Sequence, residues 1–230
     1  METAMNRLNQ LMTDAFKDCH VSRIPPKLYA VIHALDRGHG IEQARIAIEA
    51  GAHGIALIDQ FCEPVDVYEI AKNILPSTKN IAVNILRNSA HAFAIADHLD
   101  IAVWVDSFSY PVGHGAYRPT PVFQGCGFKY QSETELQTGF NLAKCQHYHM
   151  IPMTSGPGTG QAPDLDKIVK YHALVGPLAI ASGITPENVS AYVPYASHFF
   201  VGTAIKDEHK NILADRIIAL DTAIVSASKI

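Results

Sequence analysis

Short apolar runs rich in valine and isoleucine recur along the chain, and stretches with helical periodicity separate most of them. Eight such runs read as strands: 28–36 (LYAVIHALD), 54–59 (GIALID), 81–86 (IAVNIL), 101–107 (IAVWVDS), 122–130 (VFQGCGFKY), 148–155 (YHMIPMTS), 177–184 (PLAIASGI) and 198–205 (HFFVGTAI). Between the first two, Ile41, Ala44, Ile48 and Ala52 fall on one helical face that stops at Gly54. Ser132 and Glu135 form a capping-box pattern that predicts a helix after the fifth run. Thr185 followed by Pro186 predicts another after the seventh, and repeated Ile and Leu predict a last helix over 211–226.

Strands that are apolar throughout, rather than alternately, are covered on both faces, and strands that alternate with helices pair in parallel. Eight strand–helix units are the number that closes a (β/α)8 TIM barrel, here a small one. An open doubly wound sheet needs fewer strands and places its Gly-rich turn early, whereas the Gly-rich turns here come late. After Ser107 the segment FSYPVGHGAYRPTP has no helical period, so a loop is expected to replace the fourth helix. The barrel is assigned to 28–230. Residues 1–27, with Leu8, Leu11, Met12, Ala15 and Phe16 at helical spacing, read as an N-terminal helical extension that packs on the barrel or serves a homo-oligomer contact.

Composition narrows the partners. A net charge of −4 and a pI near 6.3 give no electrostatic footprint for nucleic acid or an anionic membrane. Cys19, Cys62, Cys126 and Cys145 are widely spaced, which argues against a zinc ribbon or disulfide framework and fits a reducing, cytoplasmic setting. The first twenty residues carry Glu2 and Asp14 and do not read as a signal peptide, and no apolar run reaches membrane-span length. The twelve histidines lack metal-ligand spacing, although His147 and His149 fall on one face if a strand begins there. The pattern calls for no metal and no cofactor.

In a parallel barrel the chemistry sits at the C-terminal ends of the strands. His33, Asp59, Asn84 with Arg87, Asp106 and Lys129 end the first five runs. The later turns are rich in glycine and hydroxyls: Ser155, Gly156, Gly158, Thr159 and Gly160, then Ser182 and Gly183, then Gly202 and Thr203. Bare backbone offers N–H donors at close range, and hydroxyls add more, which is what a phosphate needs. The alternative use of these glycines is to make tight turns. Asp59 and Asp106 are candidate general acid and base. Lys129 is a candidate cation for a developing enolate or a Schiff-base amine, with an ion pair to Asp106 as its structural alternative. His33 completes the catalytic candidates, and Asn84 and Arg87 join the ligand-binding set.

The N-x-L-R-N element (Asn84, Leu86, Arg87, Asn88), the G-T-G-x-x-P-D-L turn at 158–165 and the close SGITPENV…VGTAIK over 182–206 resemble the BtpA family of predicted TIM-barrel proteins. The valine-isoleucine-histidine at 31–33 is similar to that family's first strand end. The sequence differs from the family pattern at Trp104 and Asp106 in the fourth strand and at Gly125 and Tyr130 around the fifth. The resemblance implies a barrel whose late loops hold a phosphorylated ligand. It also implies one of two roles: an isomerase- or lyase-type enzyme on a sugar phosphate or related metabolite, or a non-catalytic assembly or regulatory factor of the kind associated with photosystem biogenesis.

Overall fold

A computed structural model describes residues 24–107 and 119–229. Eight parallel strands close into a barrel in sequence order. They are β1 (Lys27–His33), β2 (Gly54–Ile58), β3 (Ile81–Asn84), β4 (Ala102–Val105), β5 (Val122–Gly125), β6 (Ile151–Ser155), β7 (Leu178–Ala181) and β8 (Ala196–Val201). The barrel shuts where β8 pairs with β1, with Leu28 beside Phe199 and Ala30 beside Val201. Six helices flank it: α1 (Arg37–Glu49), α2 (Pro64–Ile74), α3 (Ser89–Leu99), α4 (Glu135–His147), α5 (Leu165–Val175) and α6 (Ala214–Ala227). The architecture is a (β/α)8 TIM barrel.

The period of two decides which core each strand residue enters. Leu28, Ala30 and Ile32 of β1 pack outward against the helices, while Tyr29 and Val31 point into the barrel. Both faces are therefore apolar, and the strands read as continuous runs. Inside, bulky rings from β1, β4, β5 and β8 meet alanines from β2, β3 and β7. Tyr29 stacks on Phe200 at 4.8 Å between centroids, Phe123 meets Phe200 edge-on at 4.8 Å, and Trp104 meets it at 5.3 Å. Ala56, Ala82 and Ala179 leave the space those rings fill. The result is a solid aromatic floor beneath the strand ends.

Several local expectations change. The helix after β5 is capped two residues later than Ser132 and Glu135 suggest. Thr134 is the N-cap and forms a reciprocal box with Gln137, whose amide oxygen can reach back to the Thr134 N–H as the Glu carboxylate would. No α-helix forms after Thr185 and Pro186. Asn188 accepts from the Thr185 N–H and donates to the Gly183 carbonyl, and this folds the segment into a turn followed by two 3-10 turns, Val189–Ala191 and Val193–Tyr195. β5 ends at Gly125 rather than 130, which places Lys129 on a loop. β6 begins at Ile151 because α4 runs to His147; His149 then takes a left-handed conformation (φ 55°), so His147 and His149 do not share a strand face. Among the described residues no helix joins β4 to β5; the loop expected there lies, over 108–118, outside them. The expected N-terminal extension likewise lies, over 1–23, outside the described residues. Among the described residues no helix is long and apolar enough to cross a membrane.

Phe200 carries the floor, so Phe200→Ala removes the ring that three others touch. We expect a loss of about 3–5 kcal/mol, read as a lower urea midpoint with an unchanged slope.

Candidate active site

The cavity lies above the aromatic floor, at the C-terminal ends of the strands, and holds about 640 Å³. Phe200, Trp104, Val31 and Ala181 form its base, and polar groups from β1, β4, β5, β7 and β8 form its wall. Its mouth is fenced by Phe61 from the loop after β2, by Tyr130 and by the 207–210 turn, where Lys210 Nζ sits 5.9 Å from the Phe61 ring centre. The Tyr130 hydroxyl accepts from the Thr159 N–H at 3.1 Å and contacts the Thr159 hydroxyl at 3.1 Å, tying the loop after β5 to the loop after β6.

Four predicted catalytic candidates divide unequally. His33, Asp106 and Lys129 all line the cavity. Asp59 does not: it lines an adjacent groove of about 890 Å³ with Arg87, Asp36, Asp66 and His91, and its carboxylate accepts from the Leu86 N–H at 2.8 Å. The reason is strand parity. Ile58 points into the barrel, and Asp59, one residue on, faces the neighbouring loop. Arg87 leaves the central cavity with it.

Asp106 is the buried carboxylate of the cavity. Burial pushes its pKa up; the Asn84 amide, donating at 2.9 Å, and the nearby Lys129 charge pull the other way without overcoming it. The Trp104 indole N–H faces this carboxyl without closing a full hydrogen bond. Lys129 arrives from the loop after β5, its backbone N–H held by the Ser155 hydroxyl at 2.8 Å. Its Nζ donates to the Ser182 hydroxyl at 3.0 Å rather than closing an ion pair with Asp106. Burial lowers the Lys129 pKa, and the Asp106 charge partly restores it. Ser182 presents its hydroxyl from a left-handed backbone (φ 69°), a strained conformation for serine of the kind found at working sites.

The glycine-rich turns have two uses. Gly156 and Gly183 serve loop packing: a Cβ on Gly156 would fall 2.1 Å from the Gln161 carbonyl oxygen, and one on Gly183 would fall 2.0 Å from the Ala162 nitrogen. The loop after β6 therefore lies on the loop after β7, and the Tyr192 hydroxyl, donating to the Pro163 carbonyl at 2.7 Å, pins it from the far side. Gly158 contacts the side chain of Gln161 in its own loop. Ser155 is fully buried, its oxygen engaged by Lys129 N–H and Gly156 carbonyl. Thr159, Ser182, Gly202 and Thr203 line the cavity, and a Cβ on Gly160 would come to 3.8 Å from the Thr203 side chain, which places Gly160 beside them.

Two lysines escaped the sequence reading as site residues. Lys167 on α5 donates to the Gly127 and Ser155 carbonyls at 2.6 and 2.8 Å and so clamps the ends of β5 and β6 from outside the cavity. Lys206 lines the cavity itself, is 6% exposed, and its Nζ contacts His33 Nδ1. Lys206 follows directly on the apolar Ala204 and Ile205, four residues past Gly202, and that was the available signal. Among the described residues no cluster of three or more His, Cys, Asp or Glu side chains could hold a metal ion.

No family model matches the sequence, and no curated protein does. Solved structures do match in fold. Phosphoribosyl anthranilate isomerase from Thermotoga maritima aligns with a TM-score of 0.63 at 15% identity, over 87% of this chain and 99% of that one. A native KDPGal structure aligns at 0.68 and 13% identity, over 88% and 96%. (S)-3-O-geranylgeranylglyceryl phosphate synthase from Thermoplasma acidophilum, in complex with its substrate sn-glycerol-1-phosphate, aligns at 0.54 and 14% identity, over 94% and 98%. At such identities the likeness concerns the barrel.

Asp106 provides a test of the cavity's electrostatics. Its folded pKa lies above its unfolded value, so its contribution to stability is present at low pH and is lost as pH rises through the folded value. Asp106→Asn keeps an oxygen for Asn84 and removes the buried charge. We expect a higher melting temperature than the parent at pH 8, with the gain shrinking toward pH 4. An equal gain at both pH values would show that this carboxyl is not desolvated.

Proposed function

We propose that the chain is a BtpA-like cytoplasmic enzyme that acts on a phosphorylated sugar or related small metabolite by isomerase- or lyase-type chemistry. One observation carries this reading: a cavity on a closed apolar floor brings a desolvated Lys129, a buried Asp106 and the hydroxyl- and glycine-bearing late turns to one place. A phosphate at Thr159, Gly160, Ser182, Gly202 and Thr203 would meet hydroxyls and bare backbone. Held there, it would keep the rest of the substrate within the cavity that Asp106 and Lys129 line. Two of the proteins with this fold are, by name or by bound substrate, connected to phosphorylated small molecules, which supports the same ligand class.

The chemistry follows from the two charged groups. A carboxyl whose pKa is raised toward neutrality exchanges a proton with carbon more readily than an ordinary aspartate, because its conjugate base is stronger. Lys129, a cation donating to Ser182, offers positive charge to an oxygen that gains electrons as the adjacent C–H or C–C bond breaks. Asn84 aims the Asp106 carboxyl, and Trp104 walls it from solvent. Asp59 and Arg87, in the adjacent groove, are not part of this assignment.

The test is thermal unfolding with inorganic phosphate, triose phosphates, ribose 5-phosphate and the matching sugars without phosphate. A ligand at about 100 times its dissociation constant stabilises by ~2.7 kcal/mol, which moves the midpoint by a few degrees. We expect stabilisation by phosphorylated sugars only, reduced in Thr203→Val. Lys129→Met should keep that stabilisation and lose turnover. Stabilisation without turnover in the parent protein would favour the binding-factor role instead, and no stabilisation by any phosphate would overturn the ligand class.

A further inference from the structure

Lys206 is held in place more firmly than a surface lysine would be. Its carbonyl accepts from Arg216 at 2.8 Å, its strand-like residue bridges Ile212, and the Ile205 carbonyl beside it accepts from Leu213 N–H at 2.9 Å. The side chain is buried, runs under Gly202, where a Cβ would stand 3.6 Å from Nζ, and ends at His33 Nδ1 in the cavity wall. Among the described residues no carboxylate pairs with it. Asp207, the neighbour in sequence, spends its oxygens on Asn211 N–H, the Asn211 amide and His209 N–H, and Glu208 pairs with His209. Of the other charges, Lys210 disfavours the Lys206 ammonium further, and Lys129 and Lys210 both disfavour a charged His33.

We propose that Lys206 is an amine nucleophile that forms an imine with the aldehyde or ketone carbonyl of the substrate, with neutral His33 as the hydrogen-bond acceptor that orients it. This rests on the reading given above and extends it by naming the substrate's reactive group. The Nζ lone pair attacks the carbonyl carbon; a C–N bond forms and the π pair moves to oxygen, which gains, by way of solvent water, the proton that the nitrogen sheds. A second proton from solvent then reaches the hydroxyl, the C–O bond breaks, and water leaves as the protonated C=N forms. Nothing is oxidised or reduced. The protonated imine accepts electrons from an adjacent C–H or C–C bond, which is the bond an isomerase or a lyase breaks, and Asp106 takes the proton.

The electrostatics agree with the geometry. Burial first, and Lys210 second, bring Lys206 down to about 7, and burial with the three lysines brings His33 down to about 3, so the histidine stays neutral and its Nδ1 can accept a hydrogen bond from the amine without taking its proton. An amine titrating near 7 has about three orders of magnitude more free base at pH 7 than an ordinary lysine near 10.4. Lys129 is less suited: the Asp106 charge favours its ammonium form, and Ser182 holds its Nζ.

Formaldehyde with cyanoborohydride, in limiting amount at pH 7, methylates lysines through this same imine step and is small enough to enter the cavity. Peptide mass mapping should find Lys206 methylated ~10-fold or more ahead of the exposed lysines such as Lys170, given its free-base fraction. Borohydride reduction in the presence of glyceraldehyde 3-phosphate should then place the adduct on Lys206, and glyceraldehyde without phosphate should do so far more weakly. Methylation of Lys206 no faster than of exposed lysines overturns the proposal, as does an adduct carried by Lys129 instead. Equal labelling by the two glyceraldehydes keeps the nucleophile and removes the phosphate site. Phosphate-dependent stabilisation with no Lys206 adduct keeps the phosphate site and removes the nucleophile. Lys206→Met, in which labelling should disappear while Lys129→Met retains it, is the control; the mapping of the parent protein decides the question even if Lys206→Met does not fold.

Discussion

The closure of β8 onto β1 is the constraint from which the site follows. It pairs strands that lie at opposite ends of the chain and brings Lys206 to His33 across 173 residues of sequence. In an open sheet the first and last strands would be edges, their ends would face solvent, and a lysine beyond β8 would keep its ordinary ammonium form. Closure removes both edges and turns the strand ends into a ring around a small volume. Once the ring exists, every inward residue at its upper rim faces every other, and the charges there are coupled whether or not they touch.

The aromatic floor converts that coupling into chemistry. Phe200, Trp104, Tyr29 and Phe123 fill the barrel from wall to wall, so water cannot reach the cavity from below and the groups above them are solvated from one side only. Desolvation is accordingly the leading cause of the shifts of these groups: Asp106 upward, and His33, Lys129 and Lys206 downward. Each shift moves its group toward the neutral form. The site therefore holds groups whose charged forms are disfavoured by burial, at a cost in stability that the two apolar shells of the barrel offset.

The sequence was informative where burial dictates residue type. Eight apolar runs and their spacing are enough to read the barrel, because a strand covered on both faces admits little else. His33 and Asp106, closing apolar runs, and Lys129 were also named from the sequence, but Lys129 was placed at a strand end and stands on the loop after β5. What failed to show was parity and distance. Nothing in the GIALID run says that Ile58 rather than Asp59 faces inward, and one residue of register decides it. Gly156 and Gly183 look the same in the sequence as Gly202, yet they are consumed by the backbone of residues 161–162 while Gly202 opens on the cavity. The helix signal at Thr185 and Pro186 was sound locally and lost to Asn188, whose side chain closes a turn first. Lys206 closes the VGTAIK run, but nothing in the sequence pairs it with His33, 173 residues away on the first strand.

The pairing of a lysine with a histidine rather than a carboxylate is the feature that separates the two cationic residues of the cavity. A carboxylate beside an amine attracts its proton-bound form and raises its pKa, as Asp106 does for Lys129. A neutral imidazole offers a hydrogen-bond partner without that attraction, so the amine is positioned but not charged. The two lysines then differ in kind: Lys129 supplies positive charge near the carboxylate, and Lys206, in the same cavity, supplies a lone pair. An aspartate at position 33 would erase the distinction and leave two ammonium groups. The identity of residue 33 thus sets whether the cavity is only an anion-binding site or also has a nucleophile.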